Sequence, residues 1–304
     1  MALVARQSIS VVFPAYNEEE NIGITVQQAL DCLESIFQDW EVIVVDDGSR
    51  DKTSAVINEL AKKEARLTIV RHPGNRGYGA ALRSGIRKAR KELIFFCDSD
   101  LQFRLNELLF LLIWIEQYDI VVGYRVQRKD PFYRKLNALG WKTLVRVLLG
   151  LKVRDIDCAF KLFRRTVFNE IKIDAVGAMV NTDILVQAVR MGFRIKEVPI
   201  SHFPRLNGKQ TGSRLRVIWK AFKELFYLYR KLRHITLRVI PYDRRQQQSG
   251  FNSKDGRCKE RRTVMLPINF PDRRRRVRLP ERELLISFAA TVQNNDSEGQ
   301  RSAT

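Results

Sequence analysis

No run of about eighteen apolar residues occurs in this 304-residue chain, so no segment is expected to cross a bilayer as a helix. The longest apolar stretch, LLFLLIWI at Leu108–Ile115, reads as one buried helical face. The opening MALVARQ leads almost directly into a strand-like run, which leaves no room for a signal peptide. Cysteine is scarce: Cys32, Cys97, Cys158 and Cys258 are scattered with neither a zinc spacing nor a disulfide framework. Reduced thiols and a cytoplasmic location, peripheral on the membrane face at most, are therefore expected. Acid is in deficit, with 54 Lys and Arg against 34 Asp and Glu and a net charge of +20. Such a charge would suit nucleic acid, yet no known nucleic-acid-binding fold signature accompanies it, and no nucleic acid partner is expected. The loop GNRGYGAA (Gly74–Ala81) lacks both the Walker spacing and the dinucleotide fingerprint, which disfavours a Rossmann dehydrogenase. Its glycines are read as tight-turn and helix-packing residues.

What is present up to about residue 125 is an alternation of strand-like and helix-like segments. SISVVFP (Ser8–Pro14), WEVIVVDD (Trp40–Asp47), RLTIVR (Arg66–Arg71), ELIFFCD (Glu92–Asp98) and DIVVGY (Asp119–Tyr124) are short, apolar and rich in β-branched or aromatic residues. Continuous apolar runs of this kind belong to strands buried on both faces. Between them lie helical patterns such as EENIGITVQQALDCLESIF and DKTSAVINELAKKEA, the second preceded by the capping candidates Ser49 and Asp51. Strand–helix alternation predicts an α/β fold, a mostly parallel sheet with helices on both faces. In such sheets ligands bind at the carboxyl ends of the strands.

Polar chemistry gathers at those ends. The successive strands finish in PAYNEEE, DDGSRD, HPGNRGYGAA, DSDLQ and GYR. Turn residues alone explain Gly and Asn there. They do not explain Asp46 and Asp47 together with Asp98 and Asp100, because like charges at one sheet edge repel unless a cation or hydrogen-bonding ligand neutralises them. Asp98 and Asp100 flank Ser99 in an extended turn, where both carboxylates can face one hard divalent cation.

These motifs resemble, in order and spacing, family 2 glycosyltransferases with the GT-A fold, a Rossmann-like architecture. The subset they look most like is the dolichol- or polyprenyl-phosphate sugar synthases, dolichyl-phosphate mannosyltransferases among them, and their soluble bacterial relatives. The likeness runs through DIDCAFKLFRR, GFRIKEVPISHFPR and GKQTGSR, roughly residues 8–235. It implies that Asp98, Asp100 and the nearby Gln102 hold Mg²⁺ or Mn²⁺ on the diphosphate of a nucleotide sugar, with Ser99 between them. It implies also that Pro14, Tyr16 and Glu18 wrap the nucleoside, and that Asp47, following Val45 and Asp46, meets base or ribose. Arg125 and Arg205 match phosphate-contacting arginines, and Lys209 lies near the second. The polyprenyl-phosphate synthases usually carry a lysine six residues beyond that arginine, where this chain has Thr211.

Asp157 and Asp183 match the acceptor side. A sugar hydroxyl would need a carboxylate base there, whereas a phosphomonoester, with a second pKa near 6, is already anionic. Asp183 is the first candidate for that base and Asp157 the second. Two acceptors thus stand open: a polyprenyl phosphate, or a hydroxyl on a glycan, lipid or small metabolite. From Arg205 to Arg238 ten basic residues face one acid, Glu224. Val217, Ile218, Phe222, Leu225, Phe226, Tyr229 and Leu232 form an apolar stripe within it. A basic amphipathic helix of this sort either lies on an anionic membrane or packs its stripe on the domain. The expected organisation is a catalytic domain over 1–205, an acceptor loop and basic helix over 206–240, and a disordered basic tail over 241–304.

Overall fold

A computed structural model describes residues 7–126, 144–177, 179–205 and 224–231. Lys209, most of the expected basic helix, and the 241–304 tail lie outside the described residues. Seven strands form one sheet: β1 (Ile9–Ala15), β2 (Trp40–Asp46), β3 (Leu67–Arg71), β4 (Leu93–Phe96), β5 (Ile120–Arg125), β6 (Lys161–Arg164) and β7 (Ile195–Ile200). Their order is β3-β2-β1-β4-β6-β5-β7. The first five match the apolar runs read from the sequence to within two residues at each end.

The β1–β2, β2–β3, β1–β4 and β5–β7 pairings are parallel. Only β6 runs against its neighbours, pairing Phe96 with Lys161 on one side and Val122 with Lys161 on the other. The sheet is therefore mostly parallel, with one reversed strand wedged between β4 and β5.

The strands are apolar throughout because both faces are covered. Val11, Phe13, Val42, Val44 and Phe95 point into one core. Their neighbours Val12, Ile43, Val45, Ile94 and Phe96 point into a second, as a side-chain period of two requires. Helices α1 (Ile22–Ile36), α2 (Thr53–Lys63) and α4 (Leu108–Leu112) bury residues in the first core. Helices α3 (Tyr78–Lys88), α5 (residues 144–149), α6 (Val167–Glu170), α7 (Val180–Arg190) and α8 (residues 224–231) serve the second. The LLFLLIWI stretch is a buried face as expected: Leu108, Leu111, Leu112 and Ile115 are inside while Ile113 points out. Among the described residues no helix is long and apolar enough to cross a membrane.

Helix α8 takes the packing alternative, at least over residues 224–231. Leu225 and Leu228 are buried in the second core, with Tyr229 against it. Phe226, read as part of the apolar stripe, is instead 62% exposed beside an equally exposed Tyr227. The run Leu225–Tyr229 is apolar or aromatic at every position, so periodicity alone does not choose its inward face.

Candidate active site

Loops after β1 and β2 interlock. Asn17, in the left-handed region at φ 55°, donates its backbone N–H to Ser49 Oγ and accepts from Arg50 N–H through Oδ1 at 2.8 Å. The Glu18 N–H donates to Thr53 Oγ1, and Glu19 Oε2 accepts from Lys52 N–H at the start of α2. Asp51 Oδ1 takes the Thr53 N–H at 2.9 Å from one residue before the N-cap position, Lys52, while Ser49 serves Asn17. Asp46 accepts from Ser49 N–H and from the Ser54 hydroxyl.

Asp47 has a different set of partners from the nucleoside expected for it. It is buried, and His72 Nδ1 lies 2.6 Å from Oδ1. The backbone N–H groups of Arg76 and Gly77 add 2.9 and 2.8 Å bonds to its two oxygens. Those bonds pull the glycine loop back over the end of β2. Gly77 (φ 97°) leaves no room for a side chain, because a Cβ would stand 2.7 Å from Val176 O. Gly77 and Gly79 act as turn and packing residues, as read from the sequence, whereas a Cβ at Gly74 would meet open space. Val45 also departs from expectation: it is fully buried in the second core and offers a nucleotide no side-chain surface.

Ser99 stitches β4 to β1. Its hydroxyl donates to Pro14 O at 3.0 Å, and its carbonyl accepts from Thr25 Oγ1. Pro14 and Ser99 are thus buried supports, whereas Tyr16 at the tip of β1 is exposed and offers a ring face. Leu101 follows Asp100 with φ 62°. Positive φ is a strained conformation for a bulky side chain, and such strain concentrates at functional sites.

Asp98 and Asp100 lie at this turn with Glu18 and Arg205. Arg205 Nη2 donates to Glu18 Oε1 at 2.5 Å, and Arg205 Nη1 lies 3.9 Å from Asp100 Oδ2. Burial, with the Asp98 charge added, pushes the Asp100 carboxyl up to about 6. Burial likewise raises Asp98 and Glu18, against the lowering pull of nearby cations. The Tyr78 hydroxyl is buried beside Asp98. Gln102 donates its side-chain amide to Phe203 O at 3.0 Å and accepts the Phe203 N–H on its own carbonyl. With the 2.7 Å bond from Ser201 N–H to Glu107 Oε2, this staples the segment bearing Arg205 to the Asp98–Gln102 turn.

Arg125 is engaged by an acid that the sequence did not single out. Its Nε and Nη2 make a bidentate pair with Asp155 at 2.7 and 2.8 Å, and its own N–H bonds the same carboxylate. A phosphate contact expected of Arg125 thus competes with a formed ion pair. Asp157, two residues on, is exposed and interacts electrostatically with Arg125 and Lys161.

Asp183 is not placed to serve as a base. It is wholly buried in the first turn of α7 and accepts from the Asp174 and Ala175 N–H groups at 3.0 and 3.1 Å. Gln187 Nε2 adds a 2.6 Å bond. Asp183 instead shapes the 174–177 loop, whose Val176 carbonyl takes the Gly79 N–H at 3.0 Å. In the fold it thus supports the loop on which the glycine turn rests.

A hard divalent cation fits the donor set at Asp98 and Asp100. Both are carboxylates at a turn, and a side-chain cation already leans toward Asp100. Among the described residues no three or more His, Cys, Asp or Glu side chains gather into a protein-only metal cage. That suits an ion whose remaining positions go to phosphate oxygens and water.

The chain belongs to glycosyl transferase family 2, whose model matches residues 10–172. A dolichyl-phosphate beta-glucosyltransferase of Trichomonas vaginalis is 33% identical over 210 residues, covering 63% of this chain and 64% of that protein. A dodecaprenyl-phosphate galacturonate synthase of Rhizobium johnstonii is 32% identical over 233 residues, covering 74% and 68%. The match therefore spans about two thirds of these relatives' lengths. Their names carry glucosyl and galacturonate groups; neither is a mannosyltransferase. The glucosyl-3-phosphoglycerate synthase of Mycobacterium tuberculosis, solved with Mn²⁺, UDP-glucose and phosphoglyceric acid, superposes with TM-score 0.58 at 21% identity, covering 75% of this chain and 81% of that one. The mannosyl-3-phosphoglycerate synthase of Rubrobacter xylanophilus gives 0.59 at 18% identity, covering 78% and 77%. These likenesses establish the GT-A-type α/β fold.

Proposed function

We propose that this chain transfers a sugar, with inversion, from a nucleotide-sugar donor to a polyprenyl phosphate. The observation that carries the choice of acceptor is the burial of Asp183, whose oxygens are taken by the Asp174 and Ala175 N–H groups and Gln187. A hydroxyl acceptor needs a positioned base, and a base of that kind contributes about 10²–10⁴-fold. A phosphomonoester is already a nucleophile at neutral pH, so its need is for cations and orientation. The two relatives' own names, both of polyprenyl-phosphate sugar transferases, agree with this reading.

Asp98 and Asp100 would hold Mg²⁺ or Mn²⁺, with Gln102 beside them; the ion when bound supplies charge stabilisation for the departing diphosphate. Tyr16 offers its ring to the nucleobase, and Glu18 stands at the ribose side. Arg205, attached to the metal turn through Gln102 and Phe203, is within reach of both the diphosphate and the incoming phosphate. Guanidinium suits both because it binds oxyanions in bidentate fashion. The exposed Phe226 and Tyr227 on α8, beside the exposed Arg230, favour a peripheral contact with an anionic lipid surface, where such an acceptor resides.

The test is a donor screen with UDP- and GDP-sugars and Mn²⁺, scored for glycosylated lipid product from a short-chain polyprenyl phosphate and from free-hydroxyl acceptors in parallel. Product on the phosphate alone is expected. The hydroxyl reading gains only if hydroxyl product forms and is lost in Asp157→Asn, since Asp157 is the exposed carboxylate on that side.

A further inference from the structure

Lys161 is a fully buried cation that the proposed reaction does not use. It has no exposed surface, and its register on β6 sets it between Phe96, two residues before Asp98, and Val122, three before Arg125. A buried ammonium is retained only where its lost hydration is replaced. Here the replacement is complete. Lys161 Nζ donates to Ile156 O at 3.0 Å, to Asn181 Oδ1 at 3.0 Å, and to Cys158 O. An ammonium has three protons, and all three have acceptors.

Two consequences follow from those partners. First, the ammonium holds the Asp155–Cys158 turn by two carbonyls, and that turn carries the Asp155 that clamps Arg125 and the exposed Asp157. Second, the charge acts on Asp98, Asp155 and Asp157 together. Five carboxylates interact across this region: Glu18, Asp98, Asp100, Asp155 and Asp157. Three cations face them: Arg125, Lys161 and Arg205. Carboxylates thus outnumber the cations that face them, and Lys161 is one of the few charges offsetting them.

We propose that Lys161 is a positioning residue and internal counter-cation: it fixes the Asp155–Cys158 turn beneath the metal-binding carboxylates and offsets part of their negative charge. The proposal rests on the reading that Asp98 and Asp100 bind that cation. It carries a signature that loss of packing does not share. Removing the charge leaves the carboxylates less compensated, so the bare site binds a divalent ion more tightly. At the same time the turn loosens, Arg125 and Asp155 lose their register, and turnover falls. Misplaced orienting groups typically cost about 10–100-fold in activity.

The experiment is a titration with Mn²⁺ alone at pH 8, free ion followed by electron paramagnetic resonance, on the full chain and its variants. Thermal melts run alongside. Lys161→Met is expected to tighten Mn²⁺ binding at least about threefold, the effect of one unit charge on a divalent ion several ångströms away. Lys161→Arg should stay within about twofold of the parent. Asn181→Asp leaves the lysine in place but neutralises it with an adjacent carboxylate, and should also tighten binding. Should Lys161→Met give no cooperative melt, Asn181→Asp decides: tighter binding supports the proposal and weaker or equal binding overturns it. Equal or weaker binding by a folded Lys161→Met overturns it as well. A parent that fails to bind Mn²⁺, or an Asp100→Asn variant that binds as the parent does, rejects the metal reading and this proposal with it. Parent binding lost in Asp100→Asn but not tightened in Lys161→Met rejects the lysine role alone.

Discussion

The two halves of the sheet edge use their polar residues differently. On the side of β1, β2 and β4, carboxylates follow immediately after parallel strands, and each loop is held by the next through backbone N–H groups and the Ser99 hydroxyl. Asp98, Asp100 and Glu18 are thereby drawn together beside Arg205, with Tyr16 exposed at their edge. On the side of β5, β6 and α7, the acids are engaged: Asp155 by Arg125, Asp183 by two backbone N–H groups and Gln187. On the β1, β2 and β4 side the acids expected to meet the donor share one guanidinium, that of Arg205. The acceptor half is a scaffold with few free acids, which is what an already anionic acceptor calls for.

Substitutions divide along the same line. Asp100→Asn should lower transfer by about a thousandfold or more, the equivalent of several kcal/mol of transition-state stabilisation, while circular dichroism stays native. Near-normal turnover in that variant would place the reactive centre elsewhere. Asp155→Ala strikes the other half, leaving Arg125 charged and mostly buried without its partner. Removing one member of a buried pair costs about 3–5 kcal/mol, so chemical denaturation should show a loss toward the lower end of that range, since the pair keeps slight exposure.

Asp183→Asn should reduce stability by about 1–3 kcal/mol, because its amide oxygen can keep the two backbone N–H groups while its amide nitrogen meets the donor Gln187 Nε2. Turnover should fall less than about tenfold, below the general-base range. A thousandfold loss of turnover in a stable Asp183→Asn variant would erase the contrast between the halves.

The smallest effect is a pH dependence. The Asp100 carboxyl is raised from 3.8 to about 6, so the folded, metal-free protein holds that proton more tightly than the unfolded chain. Its stability should therefore decline as pH rises from about 4 to about 6. Mn²⁺, which needs the carboxylate, should restore it above about 6 and do little below. Melting temperatures with and without Mn²⁺ across that range check the sign.

The donor half was legible in the sequence because its residues are local. PAYNE, DDGSRD and DSDLQ are each a few consecutive positions after an apolar run, so finding the strand finds the site. The acceptor half depends on contacts distant in sequence. Asp155 and Arg125 are 30 residues apart, and Lys161 meets Asn181 across 20. Helix α7 buries Asn181, Thr182, Asp183 and Gln187 together with its apolar residues, so no polar face shows in its pattern and Asp183 reads as available. Asp47 shows the same dependence: the motif places it at the strand end, and the folded glycine loop adds His72, Arg76 and Gly77 as its partners.

The central claim, metal-assisted transfer to a lipid phosphate, is tested most directly by one measurement: sugar transfer from UDP- and GDP-sugars to a short-chain polyprenyl phosphate, with Mn²⁺ and with chelator, by the parent chain and Asp100→Asn. The account predicts glycosylated lipid phosphate from the parent with Mn²⁺ only, and essentially none from Asp100→Asn. Equal product in chelator, or transfer to a hydroxyl acceptor with none to the phosphate, would contradict it.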